Sequence, residues 1–249
     1  MPARSRESRS SSKVVTPTSR TPQPRAPGGF SRLELLVVTG CLAALAALCL
    51  PALAGRTTPR SERVVCVNNL RQIGMALQMW AGDNGNAYPC TVPTSRDGTQ
   101  GRAFAYEHFR VISNELASVQ LLVCPSDDRT AATNFQGLFR NEAVSYFLGT
   151  DATPELFNTF LGGDRNTSGG RSGLCGRAGI IVITSYPPSV WATVGWSATN
   201  IHNGSGNVLL TDGRVEQTSS QTLGRLASRT LDNGLDNHAL RPLVGTELP

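Results

Sequence analysis

From Leu35 to Ala54 the chain is almost uninterruptedly apolar, and an acidic residue, Glu34, stands at the head of the run. As a helix, about 20 such residues rise roughly 30 Å, enough to cross a hydrocarbon core. An ordinary secretory signal places positive charge before a shorter apolar region and small residues after it. Here the small residues Gly28 and Gly29 come first, followed by Phe30-Ser31-Arg32-Leu33-Glu34. A carboxylate buried in lipid costs several kcal/mol unless it is paired, so Glu34 demands a partner at membrane depth. Pro51, near the far end of the run, removes a backbone donor and is expected to kink or loosen the helix.

The net charge of +5 raises the question of a nucleic-acid partner. Residues 1–29 hold Arg4, Arg6, Arg9, Lys13, Arg20 and Arg25 against Glu7 alone. Taking these six from the 23 basic residues, and Glu7 from the 18 acidic ones, leaves 17 of each. The excess lies wholly in a Ser-, Thr-, Pro- and Arg-rich leader that lacks the apolar surface to order itself. No nucleic-acid partner is expected for the neutral remainder.

Beyond Pro59, the residues Val67, Leu70, Ile73, Gly74, Ala76, Leu77, Trp80 and Ala81 recur at helical spacing and predict an amphipathic helix packed on a core. It should end at Asp83-Asn84-Gly85-Asn86, a cluster of turn formers. Short apolar runs follow, broken by Gly, Pro, Asn and Asp. They predict strands over Val119–Val123, Ala143–Leu148 and Gly179–Thr184, and a hairpin of Asn207–Thr211 with Arg214–Gln217 turned by Asp212-Gly213. Leu161–Gly179 reads as a Gly-rich loop, Ser219–Leu231 as a short helix, and the tail from Asp232 as irregular. The fold class is therefore α+β.

Cys41 and Cys49 lie inside the apolar run, whereas Cys66, Cys90, Cys124 and Cys175 follow it without any zinc spacing. In an oxidising compartment those four form disulfides in one of three pairings; otherwise they are free buried thiols. His202 and Asp212 offer an imidazole and a carboxylate, a metal or catalytic pair in one reading and a packing and turn pair in the other. Asp83-Asn84-Gly85-Asn86 offers loop oxygens to calcium but lacks an EF-hand's spacing and its bidentate glutamate. No cofactor is expected, calcium being the one possibility. Trp191 and Trp196 belong either to the core or to an exposed aromatic surface.

The residues Gly28-Gly29-Phe30-Ser31-Arg32-Leu33-Glu34-Leu35-Leu36-Val37-Val38 resemble the leader junction of type IV prepilins and type II secretion pseudopilins. The resemblance implies a peptidase cut between Gly29 and Phe30, N-methylation of Phe30, and assembly through Glu34 and Pro51. Two features depart from the usual pattern: Arg32, where an apolar residue is commoner, and the long leader. A second resemblance joins Cys66-Val67-Asn68-Asn69-Leu70-Arg71-Gln72-Ile73-Gly74, Trp80-Ala81-Gly82-Asp83-Asn84, Tyr88-Pro89, Cys124-Pro125-Ser126-Asp127, Gly163-Asp164-Arg165-Asn166, and His202 spaced by nine residues from Asp212-Gly213. These blocks are similar to pseudopilin-like proteins of planctomycete and verrucomicrobial lineages.

The organisation expected is a leader over 1–29, a membrane and assembly helix over 30–54, its amphipathic continuation over 55–86, and a head over 87–249. In this pilin-like scheme one long N-terminal helix packs on a small antiparallel sheet with long loops. The expected function is structural rather than enzymatic: a single-pass inner-membrane subunit, head outside the cytoplasm, of a pilus or pseudopilus. Its partners would be the prepilin peptidase, other pilin or pseudopilin subunits, the inner-membrane assembly platform and the membrane itself. Two alternatives are an anchored binding protein for a polysaccharide or secreted substrate, and an anchored metal-dependent enzyme centred on His202 and Asp212.

Overall fold

The computed structural model describes residues 31–53, 59–169, 171–172, 180–184, 194–198, 201–231 and 237–244. The leader, Gly29, Phe30, Cys175 and Trp191 lie outside the described residues, as do residues 54–58. The chain divides into two units, 1–55 and 56–249.

The first unit contains helix α1, Arg32–Leu53, which runs through Pro51. Its start is a reciprocal cap: Ser31 N–H donates to Glu34 Oε2 at 2.8 Å, and Glu34 N–H donates to Ser31 Oγ at 3.2 Å. Glu34 thus has a local hydrogen-bond partner, one that a reading of the carboxylate as an unpaired charge in lipid overlooks. Every described side chain from Ser31 to Ala47 is exposed. Among the described residues no helix is long and apolar enough to cross a membrane. For α1 the described side chains, Arg32 to Ala47, cover a rise of about 24 Å.

The second unit is an antiparallel sheet between two helices. Helix α2, Pro59–Asp83, lies on one face, and helix α4, Ser220–Leu231, on the other; a short α3, Ala105–Val111, lies between them in sequence. Among the described residues nine strands follow α3: β1 Tyr146–Gly149, β2 Phe160–Asp164, β3 Thr167–Ser168, β4 Arg171–Ser172, β5 Ile180–Thr184, β6 Gly195–Trp196, β7 Ser205–Leu210, β8 Val215–Ser219 and β9 Asn237–Leu240. Seven form one sheet in the order β4-β5-β9-β1-β2-β7-β8, and β3 pairs with β6.

Strand alternation builds two cores. Tyr146, Leu148, Leu161 and Leu209 face α2, joining Leu70, Ile73, Leu77 and Trp80. The intervening Phe147, Phe160, Val208 and Leu210 face α4, joining Leu223, Leu226, Ala227 and Trp196. Trp196 is buried and its indole N–H donates to Thr218 Oγ1 at 3.0 Å, so it belongs to the core. Gly74 lets α2 approach the sheet: a Cβ there would stand 2.9 Å from Leu209 Cδ1.

The hairpin of β7 and β8, strand β5, and α4 follow the sequence expectation, and α2 ends at Asp83. Four expectations are corrected. Val119–Leu122 is a 3-10 turn, because Ser118 Oγ accepts from Gln120 N–H at its start and Val119 and Leu122, three apart, are buried together. Phe160–Asp164 is a strand between β1 and β7, because glycines at 162 and 163 permit close backbone approach. The tail returns as β9 in the middle of the sheet, pairing Leu240 with both Leu148 and Ile180. Tyr146–Gly149 starts later than the alternation from Ala143 implies, since Asn141–Ala143 forms a 3-10 turn.

Candidate functional site

Four separate sequence blocks meet where the first turns of α2 pass the ends of β2 and β7. From α2 come Glu62, Arg63, Cys66 and Asn69. The turn after Leu122 brings Cys124, Ser126 and Asp127, the end of β2 brings Asp164, Arg165 and Asn166, and the loop before β7 brings His202. Cys66 and Cys124 are joined by a disulfide with Cα atoms 5.2 Å apart. Closing a chain separation of 58 residues, it contributes about 4 kcal/mol on the chain-entropy account. Asn69 Nδ2 donates to Val123 O at 3.2 Å, and Ser126 Oγ donates to Glu62 Oε2 at 3.0 Å, so α2 is tied to the turn on both sides of the bond.

Arg165 grips Asp127 in a two-pronged pair, Nε to Oδ2 and Nη2 to Oδ1, both 2.8 Å, and Nη2 also reaches Asp128 Oδ1 at 3.2 Å. Burial works against the Asp127 charge, but the two-pronged hydrogen bonds and charge of Arg165 hold its carboxyl down to about 2. Asn166 Nδ2 donates to Ile201 O at 2.8 Å and Ser205 O at 3.1 Å, bracketing the loop that carries His202.

That loop takes a left-handed path for three residues, His202 (φ 52°), Asn203 (φ 46°) and Gly204 (φ 76°). Glycine adopts it freely, and asparagine and histidine tolerate it better than most residues. Ser205 Oγ donates to His202 O at 2.7 Å, and Arg63 reaches both Ser205 Oγ and His202 O. The ring is thereby turned inward: His202 Nε2 lies 3.5 Å from Cys124 Sγ and 3.5 Å from Asp164 Oδ2, its side chain 2 % exposed. Cys66, Cys124 and His202 present their ligand atoms within 4.8 Å of one another.

Asp164 is fully buried. Its Oδ2 accepts from Asn207 N–H at 2.7 Å and Asn207 Nδ2 at 2.9 Å, whereas its Oδ1 has no hydrogen-bond partner among the described residues. Burial pushes the Asp164 carboxyl up to about 7, against the Asn207 hydrogen bonds and the Arg63 charge. Burial also pulls the His202 imidazole down to about 4, helped by Arg63 and opposed by Glu62. The close approach of ring and carboxyl is therefore not a charged pair at neutral pH. Outside it, a cleft of about 700 Å³ is lined by Arg60, Glu62, Arg63, Ser126, His202, Asn203 and Gln217.

Several expected site residues lie elsewhere. Asp212 does not meet His202: the two stand at opposite ends of β7, separated by about 20 Å of strand. Asp212 Oδ1 accepts from Arg214 N–H at 3.0 Å and its Oδ2 pairs with Arg214 Nε, while Gly213 takes φ 83°, a plain hairpin turn. Asp83-Asn84-Gly85-Asn86 ends α2, with Asn84 and Asn86 N–H both donating to Ala81 O and Asn86 Nδ2 donating to Glu155 Oε1 at 2.6 Å. Cys90 is free, its Sγ 3.3 Å from His108 Nδ1, and burial pushes its thiol up to about 12. The partner of His202 that spacing along the chain does not reveal is Asp164.

No protein-family model, curated protein or solved structure matches this chain.

Proposed function

We propose that the chain is a structural subunit of a type IV pilus-like or type II secretion pseudopilus filament, cut between Gly29 and Phe30 and assembled through its apolar N-terminal helix. One observation carries the reading: α1, Arg32–Leu53, is apolar on every side from Leu35 on, has Glu34 in a reciprocal cap with Ser31 just after the Gly29-Phe30 junction, and exposes all its described side chains. A helix apolar all round calls for a nonaqueous or protein environment on all sides. The cut would free the Phe30 amine at membrane depth, and Glu34 of a neighbouring subunit would neutralise it, fixing an axial stagger that repeats without closing. The head, tied at its base by Cys66–Cys124, would be carried outside the cytoplasm. The peptidase, like subunits and the membrane assembly platform are the partners this account requires.

The N-terminal residue and mass of the chain extracted from membranes test it. Methylated phenylalanine at position 30, with residues 1–29 removed, is expected; an intact leader in cells with a working prepilin peptidase overturns it.

A second reading, an anchored binding protein, draws on the cleft beside His202, whose lining of Arg60, Glu62, Arg63, Ser126 and Gln217 offers charged and polar groups to a saccharide or peptide. Cysteines introduced along α1 discriminate: homotypic crosslinks in membranes support the filament, and their absence supports display of a head.

A further inference from the structure

Cys66, Cys124, His202 and Asp164 come from four separate parts of the sequence, yet in the folded head His202 Nε2 lies 3.5 Å from both Cys124 Sγ and Asp164 Oδ2, with Cys124 bonded to Cys66. We propose that the reduced head binds one tetrahedral, thiolate-seeking divalent cation of the zinc class through these four side chains, and that oxidation to the Cys66–Cys124 disulfide expels it.

The geometry supplies each part. The two sulfurs and His202 Nε2 already lie within 4.8 Å of one another, a set that closes on a metal with Zn–S near 2.3 Å and Zn–N near 2.0 Å once the sulfurs separate. The fourth donor is independent of that cluster. Asp164 is completely buried, its Oδ2 is 3.5 Å from the same imidazole nitrogen, and its Oδ1 has no hydrogen-bond partner among the described residues. A buried carboxylate oxygen without a donor is costly, and a cation supplies what it lacks. Asn207 orients that carboxyl through two hydrogen bonds to Oδ2, as an outer-shell group orients a ligand. Arg63, bonded to the His202 carbonyl, offsets the surplus negative charge of two thiolates and a carboxylate around a divalent ion. Two sulfurs and an imidazole select zinc-class ions over calcium or magnesium.

The exchange balances. A dithiol reductant passes two electrons and two protons to the Cys66–Cys124 bond, giving two thiols and becoming a cyclic disulfide itself. The cation then displaces both thiol protons, which leave to solvent. Oxidation by disulfide exchange reverses the sequence and releases the ion. The same cysteines thus staple α2 to the Cys124 turn in either state, by metal before exposure to an oxidising compartment and by a covalent bond after it.

The test uses the full chain in detergent, reduced with a dithiol, desalted under argon and titrated with cobalt(II). One equivalent is expected to give tetrahedral visible bands and a thiolate-to-cobalt charge-transfer band, both displaced by zinc and both absent from the oxidised chain. His202→Asn keeps a residue suited to positive φ and should weaken cobalt affinity about tenfold or more, as should Asp164→Asn. In the wild-type chain, one equivalent of zinc should protect Cys66 and Cys124 from alkylation, mapped by mass, whatever the variants' folding. A reduced chain without the thiolate band, protection confined to other cysteines, or undiminished affinity in His202→Asn overturns the proposal.

Discussion

His202 Nε2 and Asp164 Oδ2 face each other at 3.5 Å, and burial drives each group toward its neutral form. Both groups destabilise the fold, but their costs depend on pH in opposite directions. Asp164 rises from 3.8 to about 7 on folding, so its cost is absent below about pH 4 and complete above about pH 7. His202 falls from 6.5 to about 4, so its cost is absent above about pH 6.5 and complete below about pH 4. The full costs are roughly 4 kcal/mol for Asp164 and roughly 3 kcal/mol for His202, and between those limits one grows as the other fades, so their pH slopes largely offset while the combined cost stays nearly constant. In the oxidised, chelator-treated chain, His202→Asn should therefore lose stability as pH rises from 4 to 7, and Asp164→Asn should lose it as pH falls over the same range. Urea unfolding at several pH values reads both slopes; slopes of the same sign would refute the assignment.

Asp127 and Arg165 behave differently, because here the charged form is the favoured one. The Asp127 side chain is fully buried and that of Arg165 is 16 % exposed. Removing the guanidinium leaves a buried carboxylate uncompensated, so Arg165→Met should cost roughly 3 kcal/mol at pH 7. Asp127 goes from 3.8 unfolded to about 2 folded, so its stabilisation is present above about pH 4 and disappears as pH falls through 2. The difference between wild type and variant should shrink correspondingly in acid. Denaturant melts at pH 7 and pH 2.5 check it; a difference that stays constant would not fit.

Two glycines in the sheet and its helix should tolerate a methyl group unequally. At Gly163 a Cβ would stand 2.7 Å from Asn207 O and 2.7 Å from Phe147 Cε1, a carbonyl and a packed ring that cannot withdraw. Gly163→Ala should cost about 1–3 kcal/mol. At Gly74 the clash is with the mobile end of Leu209, and alanine improves helix propensity by about 1 kcal/mol. Gly74→Ala should fall near neutral. Thermal melts that rank the two the other way would show the contacts are misjudged.

Legibility followed locality. The helical stripe of α2, the Asp-Gly hairpin and helix α4 were readable because periodicity and turn chemistry act between near neighbours in the chain. Strand β2 hid in glycines that read as loop, and β9 hid because Asn237–Leu240 gain their strand character only from β1 and β5. The candidate site divided the same way. Its cysteines and His202 stood out by type, but Cys66–Cys124 is one of three pairings that spacing leaves equal. Asp164 becomes His202's neighbour only when β2 pairs with β7. Asp212, the acid spacing singles out, has its role explained by the turn.

Glu34 carries two roles that a pair of substitutions can separate. Its carboxylate accepts from Ser31 N–H, and its own N–H donates to Ser31 Oγ, so it is half of a capping box. The proposed assembly role instead needs its charge, set against a freed Phe30 amine. Glutamine also serves the third position of a capping box, so Glu34→Gln keeps the helix start and removes only the charge. Ser31→Ala does the reverse, removing a cap worth roughly 1 kcal/mol while leaving the carboxylate. If charge pairing drives assembly, homotypic crosslinking through cysteines on α1 should collapse in Glu34→Gln and persist in Ser31→Ala, with cleavage after Gly29 retained in both. Equal crosslinking in Glu34→Gln would assign the acid to capping alone and leave the stagger of the proposed filament without its cause.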